Sequence, residues 1–204
     1  MGEIAILDYG MGNLRSVSRA VQRVGGHARV TSEPDDAARA DAVIVPGVGA
    51  FGACMRGLVQ TGLDAVVREF ATTGERPVLG VCLGMQVLFD SSEEDPDPGL
   101  GLLGGVVRLL PGGPGVKVPH MGWNEVRWTA DHAVTRGIPS GTRFYFVHSY
   151  APDLIPGVTV GVTEHGREFT AAVARGNLFA TQFHPERSGD AGLALYEAFV
   201  KEVG

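Results

Sequence analysis

The chain has 204 residues, of which 44% are hydrophobic, 20% charged and 7% aromatic. These are the proportions of a globular protein long enough to bury roughly 70% of its unfolded surface without covalent staples. Seventeen basic residues against 23 acidic ones give a net charge of −6, and no basic cluster is present to follow a phosphate backbone, so nucleic acid is excluded as an expected partner. The opening residues lack a secretory signal pattern, and no apolar run approaches the roughly 20 residues of a membrane span. A cytoplasmic protein that binds no membrane is expected. Cys54 and Cys82 are the only cysteines, too few for a disulfide scaffold, and are read as unpaired.

In chain order, EIAILD (3–8) is a β-rich run ended by glycines. From Asn13 onward, Leu14, Val17, Val21 and Val24 share one helical stripe that Gly25 and Gly26 stop. HARVT (27–31) reads as a short strand, DAVIVPG (41–47) as a buried one, and residues 52–71 as one amphipathic helical stretch. PVLGV (77–81) is a fourth apolar run, followed by LGMQVLFD with a helical look. Apolar strands alternating with helices predict an α/β fold with a mostly parallel central sheet flanked by helices. In the C-terminal half VVRLL, NEVRW, FYFVHSY, VTVGVTEH, FTAAVAR and LFATQF succeed one another with turn residues between, which predicts additional antiparallel strands. A last helix is expected from about Gly189 to Glu202, with Leu193, Tyr196, Phe199 and Val200 on its apolar stripe. With no linker, internal repeat or low-complexity tract, residues 1–204 read as a single domain. The acidic run SEEDPDPG (92–99) reads as a solvated loop.

The stretch GVCLGMQ (80–86) carries the first chemical signal. A residue between a buried strand and a helix, with glycine two before and two after, reproduces the G-x-S-x-G nucleophile elbow with sulfur in place of oxygen. The tight turn strains the nucleophile's backbone, and glycines at 80 and 84 avoid collisions where the chain doubles back. It also aims the Cys82 thiol at a helix N-terminus, which favours the thiolate. Against this stands the plain alternative that Cys82 is a small buried hydrophobe.

A thiolate nucleophile needs a base, and of His27, His120, His132, His148, His165 and His184 the last is best placed. His184 follows LFATQF in the string FHPE and is expected to project from the C-terminal end of a strand. Pro185 restricts the backbone so that Glu186 can turn back onto the imidazole and fix its tautomer. By itself His-x-Glu is weak, but its pairing with an upstream GxCxG points to a Cys-His-Glu triad. No HExxH, CxxC or comparable spacing appears, so no metal and no cofactor are expected. An oxyanion hole is also required. PGVGAFG (46–52) follows a buried strand with unshielded amides, so the N–H of Val48 or Gly49 is expected to join that of Leu83. Read blandly, PGVG is only a turn.

Taken together, LGVCLGMQ and QFHPE resemble the triad-type (class I) glutamine amidotransferases, flavodoxin-like α/β enzymes that hydrolyse glutamine to glutamate and pass ammonia to a synthase. More narrowly, DYGMGNLRSV (8–17), PGVGAFG, GVCLGMQVLF with SSEE, PHMGWNEV (119–126) and YFVHSY (145–150) resemble the glutaminase subunits of imidazole glycerol phosphate synthases, in histidine biosynthesis. The resemblance implies that Cys82 attacks the glutamine amide, His184 shuttles the proton and Glu186 orients His184. It further implies that Gln86, Glu94 and the stretch His148, Ser149 and Tyr150 bind glutamine. A (β/α)8-barrel cyclase is the implied partner in a heterodimer that channels ammonia, with Asn13, Met121, Trp123 and Arg187 at the contact, although core packing of Met121 or Trp123 is the competing reading. Cys54 is expected only to pack. The readings to be separated are this glutaminase subunit, an amidotransferase serving anthranilate, aminodeoxychorismate or pyridoxal phosphate synthesis, and a non-catalytic binding protein of the same fold.

Overall fold

The computed structural model describes residues 2–204, and Met1 lies outside it. Its elements are β1 (Glu3–Leu7), α1 (Leu14–Arg23), β2 (His27–Thr31), α2 (Pro34–Arg39), β3 (Ala42–Gly47), α3 (Phe51–Thr61), α4 (Leu63–Thr73), β4 (Val78–Cys82), α5 (Leu83–Gln86), β5 (Ser91–Ser92), β6 (Val106–Leu109), β7 (His120–Trp128), β8 (Thr142–His148), β9 (Tyr150–Pro152), β10 (Thr159–His165), β11 (Arg167–Arg175), β12 (Leu178–Thr181) and α6 (Gly189–Glu202). Nine strands form one mixed sheet in the order β2-β1-β3-β4-β12-β11-β10-β7-β8. Neighbours are parallel from β2 through β12 and antiparallel from β12 through β8. Three short strands, β5-β6-β9, make a second sheet.

Side-chain alternation gives this sheet two cores. Ile4, Ile6, Ile44, Leu79 and Phe179 face α1 and α6, where they meet Val17, Val21, Tyr196 and Phe199. Ala5, Leu7, Val43, Val45 and Val78 face the other way and pack with Phe51, Leu58, Val67 and Phe70 of α3 and α4. Strands buried on both faces read as unbroken apolar runs, which is why β3 and β4 stand out in the sequence. No helix among the described residues is long and apolar enough to cross a membrane.

Several expectations are corrected in detail. The amphipathic stretch at 52–71 is two helices, because Gly62 adopts a left-handed conformation (φ 74°) that ends α3 and lets α4 leave in a new direction. The six-residue α2, opened by Pro34, is too short to show a period. LGMQVLFD is only one helical turn, since the chain after Gln86 turns to bond the 99–103 segment, as in Leu100 N–H to Val87 O at 2.7 Å. FYFVHSY breaks at Ser149, placing β8 in the large sheet and β9 in the small one with β6, the strand of VVRLL. LFATQF is not simply one more antiparallel strand. Its β12 pairs parallel with β4 on one side and antiparallel with β11 on the other, so it joins the two halves.

The junction of β4 and α5 depends on backbone-to-backbone packing. A Cβ placed on Gly84 would lie 1.8 Å from the carbonyl oxygen of Val45 in β3, and one on Gly80 would lie 2.9 Å from the Cβ of Ala180 in β12. Only glycine lets the first turn of α5 close onto β3. The variant Gly84→Ala is therefore expected to lose about 2–3 kcal/mol of stability through forced overpacking. Urea unfolding checks this, and an unchanged midpoint and slope would contradict the packing account.

Candidate active site

Cys82 terminates β4 with φ 55° and ψ −109°, and it is the one non-glycine residue with positive φ among the described residues. Such a backbone costs on the order of 1–3 kcal/mol and persists only where its surroundings over-determine it. Here the surroundings are β3 and β12 on either side of β4, and α5 immediately after. The side chain is thereby presented at the carboxyl ends of the parallel strands, where open α/β sheets place their ligands.

His184 lies beyond the end of β12, three residues past Thr181, at the start of a 3-10 turn spanning Pro185–Arg187. The backbone of Tyr145 in β8 pins this turn. Its carbonyl accepts the His184 N–H at 2.9 Å, and its N–H donates to Ser188 Oγ at 3.0 Å. The turn brings Glu186 back onto His184, so that imidazole Nδ1–H donates to Glu186 Oε1 at 2.7 Å with both side chains shut off from solvent. Nε2 of His184 is buried with no hydrogen-bond partner. Burial lowers the pKa of this imidazole, but the attraction of the Cys82 thiolate, together with the Glu186 carboxylate, outweighs it and brings the value up to about 10. The group is built to carry a proton beside the sulfur.

A cleft of about 410 Å³ opens over these groups. It gathers Cys82 and His184 with the expected oxyanion residues Val48, Gly49 and Leu83, and with the expected glutamine contacts Gln86, Glu94, His148, Ser149 and Tyr150. Leu83 is the first residue of α5, so its N–H has no intrahelical acceptor. Glu94 is oriented by the N-terminus of α3, its Oε2 accepting the Phe51 N–H at 2.9 Å. Arg187 also lines the cleft and lays its guanidinium over the Tyr145 ring, 4.9 Å from the centroid.

Asn13, expected at a partner contact, touches Glu186. It precedes α1 without capping it and donates from Nδ2 to Glu186 Oε1 at 3.4 Å. Met121 and Trp123 are 63% and 49% exposed on β7, which overturns the competing core reading for both. Cys54 is fully buried and free, donating to the Tyr9 hydroxyl at 3.2 Å, and burial pushes its pKa up to about 12. No group of three potential metal ligands exists among the described residues.

Three contributors were not foreseen. Gln182 donates from Nε2 to Cys82 Sγ at 3.7 Å, although its place in QFHPE was the available signal. Tyr9 bonds the carbonyl of Pro46 at the head of the PGVG turn, and His120 bonds His148 at 3.1 Å. Neither pairing has a sequence signal, because each depends on how distant segments register.

The family model for glutamine amidotransferase class-I matches residues 5–203. A protein of Moorella thermoacetica named imidazole glycerol phosphate synthase subunit HisH is 52% identical, over 98% of this chain and 94% of its own. One of the same name from Nitrosomonas europaea is 49% identical over 98% and 99%. Among solved structures, PurLQS from Thermotoga maritima superimposes with a TM-score of 0.74 at 19% identity, covering 100% of this chain and 100% of the matched one, a likeness of fold. By its matched length and by relatives about half identical end to end, the chain belongs to the class-I glutamine amidotransferase family.

Proposed function

We propose that this chain is the glutaminase subunit of an imidazole glycerol phosphate synthase, acting in histidine biosynthesis as one glutamine amidotransferase domain in the cytoplasm. The observation that carries the reading is the strained Cys82 in a cleft that His184 also lines, with His184 paired to the buried Glu186. Relatives that bear the synthase subunit name favour it over the anthranilate, aminodeoxychorismate and pyridoxal phosphate alternatives.

In this mechanism His184 takes the Cys82 proton and the sulfur attacks the side-chain amide carbon of glutamine. The carbonyl becomes an oxyanion held by the N–H of Leu83 and that of Val48 or Gly49. As the C–N bond breaks, His184 returns its proton to the leaving nitrogen, which departs as ammonia and leaves a γ-glutamyl thioester on Cys82. A water, deprotonated by His184, attacks the thioester, and collapse expels the thiolate and releases glutamate. Glu186 keeps the imidazole in one tautomer and stabilises its charged form throughout. Gln86, Glu94 and the 148–150 stretch hold the amino-acid end of glutamine.

The partner in this reading is a (β/α)8-barrel cyclase that receives the ammonia and makes imidazole glycerol phosphate and aminoimidazole carboxamide ribotide. Met121 and Trp123 suit an interface, being apolar and aromatic side chains left in solvent by β7. Of the other two expected contacts, Arg187 lines the cleft and Asn13 touches Glu186.

Cys82→Ala should abolish glutamine-dependent synthesis by the assembled complex while leaving synthesis from ammonium salts; persistent glutamate release would refute the nucleophile. Trp123→Ala should weaken partner binding by about 2 kcal/mol, roughly a 30-fold rise in Kd, and an unchanged Kd by titration calorimetry removes Trp123 from the interface. In labelled-histidine NMR, His184 should keep its charge far above pH 6.5, with a midpoint near 10 that falls sharply in Cys82→Ala. Because its folded value is raised, its contribution to stability is complete below about pH 6.5 and is lost as pH climbs through about 10. A midpoint at or below 6.5 would contradict the ion-pair assignment.

A further inference from the structure

The hydrogen bonds behind the nucleophile form a chain whose directions follow from its fixed acceptors. The carbonyl of Tyr150 can only accept, and it receives Gln86 Nε2 at 2.9 Å and His148 Nδ1 at 2.8 Å. Gln86 therefore turns its amino group toward the interior, and the same Nε2 donates to Gln182 Oε1 at 3.1 Å. With its oxygen so engaged, Gln182 presents Nε2 to Cys82 Sγ at 3.7 Å.

The far end of the chain agrees independently. Asn124 Oδ1 accepts the N–H of Glu125 at 2.8 Å, and its Nδ2 donates to the Glu164 carbonyl at 2.8 Å and to His120 Nε2 at 3.2 Å. His120 must then carry its proton on Nδ1, which donates to His148 Nε2 at 3.1 Å. That leaves His148 protonated on Nδ1, the tautomer the Tyr150 carbonyl requires. Burial holds both imidazoles neutral, His120 at about 4 and His148 at about 3. Two arguments begun from opposite ends meet at one tautomer.

Resting on the reading of Cys82 as nucleophile, we propose that Gln182 is a positioning residue that holds the Cys82 sulfur and favours its thiolate, its amide oriented by Gln86, Tyr150, His148, His120 and Asn124. Gln182 is fully buried and brings no charge, so it stabilises a sulfur anion without competing with His184 for its proton. It acts twice in each turnover, when the thiolate forms and when it is expelled from the thioester adduct. The relay begins on β7 at His120 and Asn124, which flank the exposed Met121 and Trp123 along the strand.

Gln182→Met keeps the volume and removes the donor, and Gln182→Glu turns an anionic acceptor toward the sulfur. The pH profile of Cys82 carbamidomethylation by iodoacetamide is read by mass spectrometry, beside kcat and KM for glutamine in the cyclase complex. The other groups whose charge reaches the sulfur, His184, Tyr9 and Cys54, are untouched. Gln182→Met should alkylate about tenfold more slowly near neutral pH, with its profile moved to higher pH, the size expected for a lost hydrogen bond to a charged group. Its kcat should fall by at least as much with KM nearly constant, and Gln182→Glu should be slower still. A profile for Gln182→Met that superimposes on wild type overturns the proposal. Should that variant fail to fold, Gln86→Met frees Gln182 to rotate and is read in the same alkylation assay, where superposition again overturns it. Failure of the parent reading is separate: the wild-type complex would release no glutamate, whatever the alkylation profiles show.

Discussion

The close approach of the first turn of α5 to β3 is the constraint on which the site depends. With Gly84 nearly touching the Val45 carbonyl, and Gly80 against Ala180, the chain has no room to relax between strand and helix. Cys82 is left at φ 55° because the elements on both sides of it are already fixed. The cost, on the order of 1–3 kcal/mol, is carried by a sheet whose central strands are buried on both faces. The position of the sulfur is thus a consequence of packing, and the cleft is assembled around it by elements that arrive from the rest of the fold.

Those elements divide the electrostatic work. His184 and Glu186 form a buried pair whose imidazole is held charged by the sulfur and the carboxylate. Behind the sulfur the opposite policy holds, where His120, His148, Gln86 and Gln182 are neutral and oriented, with tautomers dictated by two backbone carbonyls. A charge among these neutral groups would compete with His184 for the thiolate. Keeping them neutral leaves one ion pair at the reacting centre and uses the remaining polar groups for orientation, the arrangement in which preorganised dipoles are most effective.

Much of this was legible in the sequence for definite reasons. Strands β3 and β4 announce themselves because double burial leaves no polar residue in them, and the elbow because its two glycines answer a steric demand. The turn at Pro185 was readable from the stiffness of proline. What stayed hidden depended on long-range register. His120 and His148 are partners because they sit opposite each other in the β7–β8 pair, 28 residues apart in sequence. Gln182 reaches Cys82 because β12 inserts beside β4, a topology that the local pattern of LFATQF did not distinguish from one more antiparallel strand. Asn13 was expected only at a partner contact, and its bond to Glu186, 173 residues away in sequence, has no local signal. Helix breaks such as Gly62 were invisible for a smaller reason, since an amphipathic pattern continues across a single residue of left-handed backbone.

The most direct measurement of the account is covalent. Incubating the cyclase-bound protein with 6-diazo-5-oxo-norleucine, a glutamine mimic whose diazoketone is trapped by the attacking atom, and mapping the adduct by peptide mass spectrometry identifies the nucleophile. The account predicts a single adduct on Cys82, formed in competition with glutamine and lost in His184→Ala. An adduct on any other residue, or none while the complex turns glutamine over, would contradict it.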